Sequence, residues 1–306
     1  MPPTASFCEQ KRSKTAGAGD VNVSLIMNII KSIAQLRKIL DNEHKKGNTI
    51  GFVPTMGYFH EGHLSLMRRA RKETDVVVVS IFVNPIQFGP REDYRRYPRN
   101  MRRDTALARQ EKVDYIFYPS VKTMYQSPYH TFVNVEKITD ILCGLCRPGH
   151  FKGVTTVVCK LFHIVQPDIA YFGQKDYQQY VVIKRMVDEL HMPVKIKMCP
   201  IIREYDGLAM SSRNVYLTPE ERERALTLYK SLCMARRLVR AGERNPQKVI
   251  TEMKKLLEKN VNRIDYIAIL NPEGFESVER LKGKLFIGVA AYVGRTRLID
   301  NTIINV

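Results

Sequence analysis

Pro54-Thr-Met-Gly-Tyr-Phe-His60-Glu-Gly-His63-Leu-Ser-Leu66 follows an apolar run, Ile50-Gly-Phe-Val53, and leads into a segment with Leu64, Met67 and Ala70 near helical spacing. That order reads as strand, glycine-bearing turn and helix N-terminus. Free backbone N–H groups and the positive end of the helix dipole meet there, a favourable place for a polyphosphate. His60 and His63 add two imidazoles beside the same phosphates, and Gly62 lets the backbone come close. Taken alone, His-x-Gly-His leaves three readings open. It is a pair of phosphate donors, a helix-capping pair, or half of a zinc site with no third ligand close in sequence.

The rest of the chain supplies the context. It has 306 residues, enough for one large or two medium cores, and its 44% hydrophobic content is that of a globular protein. No apolar run approaches the roughly 18 residues of a membrane span. The formal charge is +18, spread along the chain, which favours anionic partners without choosing among nucleotides, RNA and small acids. The six cysteines (8, 143, 146, 159, 199 and 233) lack the spacing of a secreted framework. Cys143-Gly-Leu-Cys146 has no second pair to complete a zinc site, so free thiols are expected. Residues 1–22 lack the apolar segment of a secretory signal and read as a disordered extension, with Glu9 and Asp20 counting against a transit peptide.

Downstream, Asp75–Val83 is a continuous apolar run, as suits a parallel strand buried on both faces. A charged helix over 101–111, a strand over Val113–Tyr118, a helix over Gly153–Val165, a strand over Asp168–Gly173, a helix over Tyr177–Leu190 and a strand over Val194–Ile202 follow. Alternating strands and helices predict an α/β, Rossmann-like, doubly wound parallel sheet over 23–200, with ligands at the carboxyl ends of its strands. After about residue 200 the pattern changes. Thr218-Pro-Glu-Glu221 is a capping box with proline at the first helical position. Helices over 219–241 and 246–259 precede strands at Ile264–Leu270, Lys284–Val293 and Thr296–Ile299, a smaller C-terminal α+β lid domain over 201–306.

Five segments in register carry a resemblance: PTMGYFHEGH (54–63), FVNPIQFGPREDYRRYPR (82–99), RPGHFKGVTTVV (147–158), AYFGQKDYQQ (170–179) and DGLAMSSRN (206–214). From about residue 23 onward the chain resembles the pantoate–β-alanine ligases of the nucleotidyltransferase superfamily. A more distant similarity, to class I aminoacyl-tRNA synthetases, matches His60–His63 and Met210–Arg213 to that group's two signatures. The resemblance implies ATP-dependent condensation of (R)-pantoate with β-alanine through a pantoyl adenylate, releasing pyrophosphate and then AMP. It implies catalytic roles for His63 and His60. ATP contacts are implied at Met56, Gly57, His60, Gly62, His63, Gly173, Gln174, Lys175, Asp176, Ile202, Met210, Ser211, Ser212 and Arg213. Gln87 and Gln179 are implied to bind pantoate, Gln87 also bordering the β-alanine site, with Asn84 helping to position ligands or metal. Mg²⁺ is expected on the phosphates rather than in a protein cage. A cytoplasmic homodimer follows from the same likeness, with domains that close on nucleotide; nucleic acid and membrane are not expected partners. Two positions depart from the family's usual pattern: Gln174 stands where glutamate is usual, and the Cys143–Cys146 pair where an acidic residue is. Two other readings stay open, another adenylate-forming enzyme or an RNA-binding protein on an inactive nucleotide fold; the latter's own motifs are missing.

Overall fold

A computed structural model describes residues 27–90 and 92–306; the extension expected over 1–22 lies outside the described residues. A short strand β1 (Asn28–Ile30) and helix α1 (Ile33–Lys45) come first, then β2 (Ile50–Thr55), α2 (Glu61–Glu73), β3 (Val76–Ile81), α3 (Met101–Gln110) and β4 (Tyr115–Phe117). Two one-turn helices, α4 (Val121–Met124) and α5 (Cys143–Cys146), precede α6 (His150–Val165), β5 (Ile169–Gly173), α7 (Tyr177–Glu189) and β6 (Lys195–Cys199). These strands form one parallel six-stranded sheet in the order β1-β4-β3-β2-β5-β6.

The valine run explains the layering. Successive side chains of a strand point to opposite faces. Val76 and Val78 accordingly enter the core built with α6 and α7, while Val77 and Val79 join Phe59, Met67 and Ala70 of the α2 side. Every residue of β3 is buried. The strand expected to reach Ile202 stops at Cys199, because Pro200 has no N–H to continue the ladder. The helix expected from Gly153 starts three residues earlier, entered through Gly149 in the left-handed region at φ 80°. β1 and α1 are not among the elements expected from the sequence.

The smaller unit holds α8 (Pro219–Arg240) and α9 (Pro246–Glu258) against an antiparallel sheet of β7 (Arg263–Leu270), β8 (Lys284–Val293) and β9 (Thr296–Asn305), in that order. The capping box at Thr218 and Glu221 is formed in both directions. β9 runs six residues past the expected end at Ile299, paired with β8 along its whole length. Leu228, Leu232, Val249, Met253, Ile287 and Val289 fill this second core. Where the two units meet, Tyr177 of α7 stacks on Phe286 at 5.1 Å between ring centroids and sits edge-on to Phe275.

Candidate active site

The strand order reverses between β2 and β5, and the crevice beyond the carboxyl ends of such a pair is where an open α/β sheet takes its ligand. Thr55 ends β2 on one side of it and Gly173 ends β5 on the other. His60 is the N-cap of α2. Its Nδ1 accepts the Gly62 N–H at 3.1 Å, and its own N–H donates to His63 Nδ1 at 3.3 Å. The two histidines thus form a reciprocal capping box. Of the readings left open by the sequence, the capping pair is the one these bonds form. With each Nδ1 accepting from backbone, each neutral ring carries its proton on Nε2. Burial, first of all, holds His60 down from 6.5 to about 2, with His63, Lys175 and Arg103 adding to it. Burial and then Lys175 take His63 to about 4. Both rings are therefore uncharged donors at neutral pH.

Gly62 has a reason within the protein itself. A Cβ there would lie 2.8 Å from His60 Cε1, so glycine makes room for the histidine ring itself. The turn before the pair is held by a residue the sequence did not mark. Buried Asp104 on α3 accepts from Tyr58 N–H at 2.7 Å and Phe59 N–H at 2.8 Å, while Arg103 donates to Phe59 O at 2.7 Å. Gly57 (φ 83°) and Tyr58 (φ 52°) both sit in the left-handed region, a conformation that needs such external support.

Below the histidines, Gln87 ends a one-turn 3₁₀ segment, Pro85–Gln87. Its Nε2 faces Met56 Sδ at 3.4 Å, and its carbonyl accepts His150 Nδ1–H at 2.9 Å. His150 Nε2 accepts from Arg147 at 3.1 Å, and Arg147 forks both Glu92 oxygens at 2.7 and 2.6 Å. Burial and the adjacent Arg147 keep His150 neutral, down at about 3. Glu92, Arg147 and His150 lie inside quoted motifs, yet their linkage spans some 55 residues and no local spacing signals it. Asn84 is bonded within the protein. Its amide donates to Gln87 Oε1 and Gly153 O, both at 3.0 Å, and accepts the Tyr125 hydroxyl at 2.8 Å, which uses its donors and buries it.

The opposite wall comes from Lys175 and the Met210–Arg213 segment. Lys175 Nζ pairs with Asp176 at 3.7 Å. Ser211 caps the following turn, and Ser212 donates to Tyr58 O at 3.2 Å, joining this wall to the histidine turn. Arg213, an ATP contact by the resemblance, forks Asp93 at 2.9 and 2.8 Å. Ile202 O accepts Met210 N–H at 3.0 Å. One cavity gathers Met56, His60, Gly62, His63, Gln87, Gly173, Lys175, Asp176, Gln179, Ile202, Met210, Ser211, Ser212 and Arg213, with Val154, Val157 and Leu161 as its apolar floor. A second cavity shares Lys175, Asp176, Gln179, Ser211 and Arg213 with it and runs on to Arg96, Arg147 and β9. Gln179 lines both, its side-chain amide without a hydrogen-bond partner among the described residues. Gly57 and Gln174 stand apart. Gly57 faces a cavity behind the turn, and Gln174 donates to Asn301 Oδ1 at 3.3 Å, on β9. Asn301 returns bonds to the Gln174 and Lys175 carbonyls at 3.0 and 2.9 Å.

A doubly wound sheet whose switch point presents two neutral imidazole donors, a lysine and a serine turn defines a nucleotide-handling enzyme of the His-x-Gly-His class. Residues 28–303 match the pantoate-beta-alanine ligase family, and the chain belongs to it. A pantothenate synthetase of Thermotoga petrophila is 57% identical over 279 residues, 91% of this chain and 100% of the relative. One from Caldicellulosiruptor saccharolyticus is 55% identical over 281 residues, 92% and 100%. The crystal structure of pantothenate synthetase from Thermus thermophilus matches with a TM-score of 0.86 at 46% identity, covering 90% of this chain and 99% of that one. A pantoate-beta-alanine ligase of Francisella tularensis, complexed with beta-gamma ATP and beta-alanine, matches at 0.74 and 37% identity, covering 90% and 97%.

Proposed function

We propose that the chain joins (R)-pantoate to β-alanine using ATP, and that the residues of the shared cavity do so in two half-reactions. A pantoate carboxylate oxygen attacks the α-phosphorus, the bond to pyrophosphate breaks, and pantoyl adenylate forms. The β-alanine amine then attacks the acyl carbon, the bond to AMP breaks, and the amine proton leaves. Negative charge grows on the phosphate oxygens in the first step, and fixed donors placed there stabilise it without reorganising. His60 and His63 serve as those donors through Nε2–H, with Lys175 and Ser211 across the cavity. The observation that carries this reading is the reciprocal cap, which leaves Nε2 as the free donor of both rings.

Gln179 and Gln87 meet the hydroxyl and carboxylate oxygens of pantoate, since an amide both donates and accepts. The floor of Val154, Val157 and Leu161 suits pantoate's two methyl groups. Asn84 acts by holding Gln87 and touches no substrate. Among the described residues no group of three or more His, Cys, Asp or Glu is placed to cage a metal. Asp176, half-exposed beside Lys175, is the carboxylate that suits a water-mediated contact to Mg²⁺ carried on the phosphates. That ion, when bound, neutralises phosphate charge.

In this proposal 23–200 is the ATP and pantoate domain, 201–306 is the lid, and the enzyme is a cytoplasmic homodimer. Light scattering tests the last point, with twice the 35.3 kDa chain mass expected. Among the described residues no helix is long and apolar enough to cross a membrane. The chemistry is tested by exchange of labelled pyrophosphate into ATP. Exchange that requires pantoate, with β-alanine then yielding AMP and pantothenate, is the expected result. Exchange that requires a different acid would overturn the assignment.

A further inference from the structure

The Cys143-Gly-Leu-Cys146 turn takes no part in the chemistry above, yet it sits on the seam between the two units. Cys143 is buried, with Sγ 3.4 Å from the Tyr266 hydroxyl and 3.6 Å from Arg297 Nη2. Cys146 is exposed, and the charge of the same guanidinium acts on its thiol. Arg297 is fixed in turn by Asp265, Nε to Oδ2 at 2.7 Å. One solvent-facing thiol and one buried thiol a single turn apart place an accessible sulfur for attack beside a second sulfur that can resolve the adduct.

We propose that Cys143 and Cys146 form a thiol-oxidation site, closed to an intramolecular disulfide by a small-molecule disulfide such as oxidised glutathione. The Cys146 thiolate attacks one glutathione sulfur; the S–S bond of the reagent breaks and one glutathione thiol leaves. Cys143 then attacks the Cys146 sulfur of the mixed disulfide, and the second glutathione leaves. Two protein thiols lose two hydrogens, and the reagent gains them as two thiols.

Closure reaches the active site through the packing of α5. Residues three apart on a helix hold their Cβ atoms about 5–6 Å apart, whereas a disulfide needs about 3.5–4.5 Å. The turn must therefore tighten, and it has no slack: a Cβ on Gly144 would fall 1.6 Å from Thr139 O. Tightening also withdraws Cys143 from Tyr266 and Arg297. Cys143 N–H is held by Gln178 Oε1 at 2.9 Å, and Gln178 precedes Gln179, the amide shared by both cavities. Oxidation at the seam thus displaces the start of α7.

Burial and then Asp265 push the Cys146 thiol up while Arg297 opposes them, so ionisation is small at neutral pH and oxidation is run at about pH 8.5. Intact mass should fall by about 2 Da, and a peptide map should join 143 to 146. Pantoate-dependent pyrophosphate exchange should drop at least about tenfold, since a misplacement near 1 Å of a positioning group costs up to about 10²-fold. Dithiothreitol should restore it. Cys146→Ser should keep full activity before and after treatment. Cys143→Ser should stop at the glutathione adduct on Cys146. A wild type whose mass does not change, a disulfide that leaves exchange unaltered, or a Cys146→Ser protein that is inactivated equally would each overturn the proposal. The activity arm rests on the ligase reading and the mass arm does not, so exchange absent before treatment would count against that reading alone.

Discussion

At the scale of single residues, the charge state of the histidine pair decides what it can do. Lysine and arginine surround the crevice, and a third and fourth cation there would repel them at short range. Held near 2 and 4, His60 and His63 give hydrogen bonds without charge. His63→Ala should lower the adenylation rate about 10²–10³-fold, the loss of a single oxyanion-type donor. The pH profile of adenylation should also show no inflection near 6.5 that disappears in this variant. A profile whose acid limb vanishes with His63 would mean that the residue works as a cation or a base. Arg213 makes a second residue-scale case. It lies in a loop, where an arginine usually contributes little to any core, but it forks Asp93, whose carboxylate is largely buried. Removing one partner of such a pair costs up to about 3–5 kcal/mol, because the other is left buried and uncompensated. Arg213→Met should therefore lower both exchange activity and the urea midpoint. Arg213→Met with Asp93→Leu should recover stability and not activity. Recovery of both would show that Arg213 acts only as a strut.

At the scale of elements, the parts that were legible are those whose signal is local. The all-buried β3 was written in four consecutive valines, and the α8 cap in Thr218 and Glu221. β1 is three residues long with two of them exposed, and α1 buries only Leu36 and Leu40, so neither leaves a strong pattern. Positions at the carboxyl ends of β2 and β5 were legible for the same reason as the strands. The supports were not. Asp104 meets the histidine turn from some 45 residues away, and Asp93 meets Arg213 across 120. Which polar groups are already satisfied within the protein, as for Asn84, depends on such distant pairings. The contact between α6 and the Pro85–Gln87 turn shows how an element sets Gln87, proposed above to meet pantoate. A Cβ on Gly153 would stand 2.5 Å from Ile86 O and 2.6 Å from Gln87 Cα, both backbone atoms that cannot rotate away. Gly153→Ala should push the turn off α6, carrying Gln87 with it. The KM for pantoate should rise at least about tenfold with the ATP dependence little changed, as expected when a substrate-positioning group shifts by about 1 Å. Equal losses for both substrates would mean that the turn supports the whole cavity.

At the scale of the whole molecule, the same buried histidines tie the site's chemistry to the stability of the fold. His60, His63 and His150 have native values of about 2, 4 and 3, each below the ordinary 6.5. The sign follows from proton counting. Below pH 6.5 the unfolded chain protonates these rings and the native chain does not, so acid favours unfolding and stability rises with pH. The contribution is fully present above 6.5 and drains away as pH falls toward each ring's native value, about 4 for His63, about 3 for His150 and about 2 for His60. Each ring well inside that window contributes a slope of roughly 1.4 kcal/mol per pH unit, so three give a limit of roughly 4. Burial raises Asp104 and Asp300, which take up protons more readily in the native state and oppose this trend. Urea midpoints measured between pH 7.5 and 5 should fall steeply below 6.5. His150→Gln keeps a donor and an acceptor for Gln87 O and Arg147 while removing one titrating ring, so it should reduce the slope by about a third. ATP and pantoate, bound only by the native state, should raise the midpoint at every pH. A His150→Gln slope equal to the wild type's would show that the ring already carries its proton in the native protein, and the Arg147–His150–Gln87 arrangement would have to be redrawn with a cation at its centre.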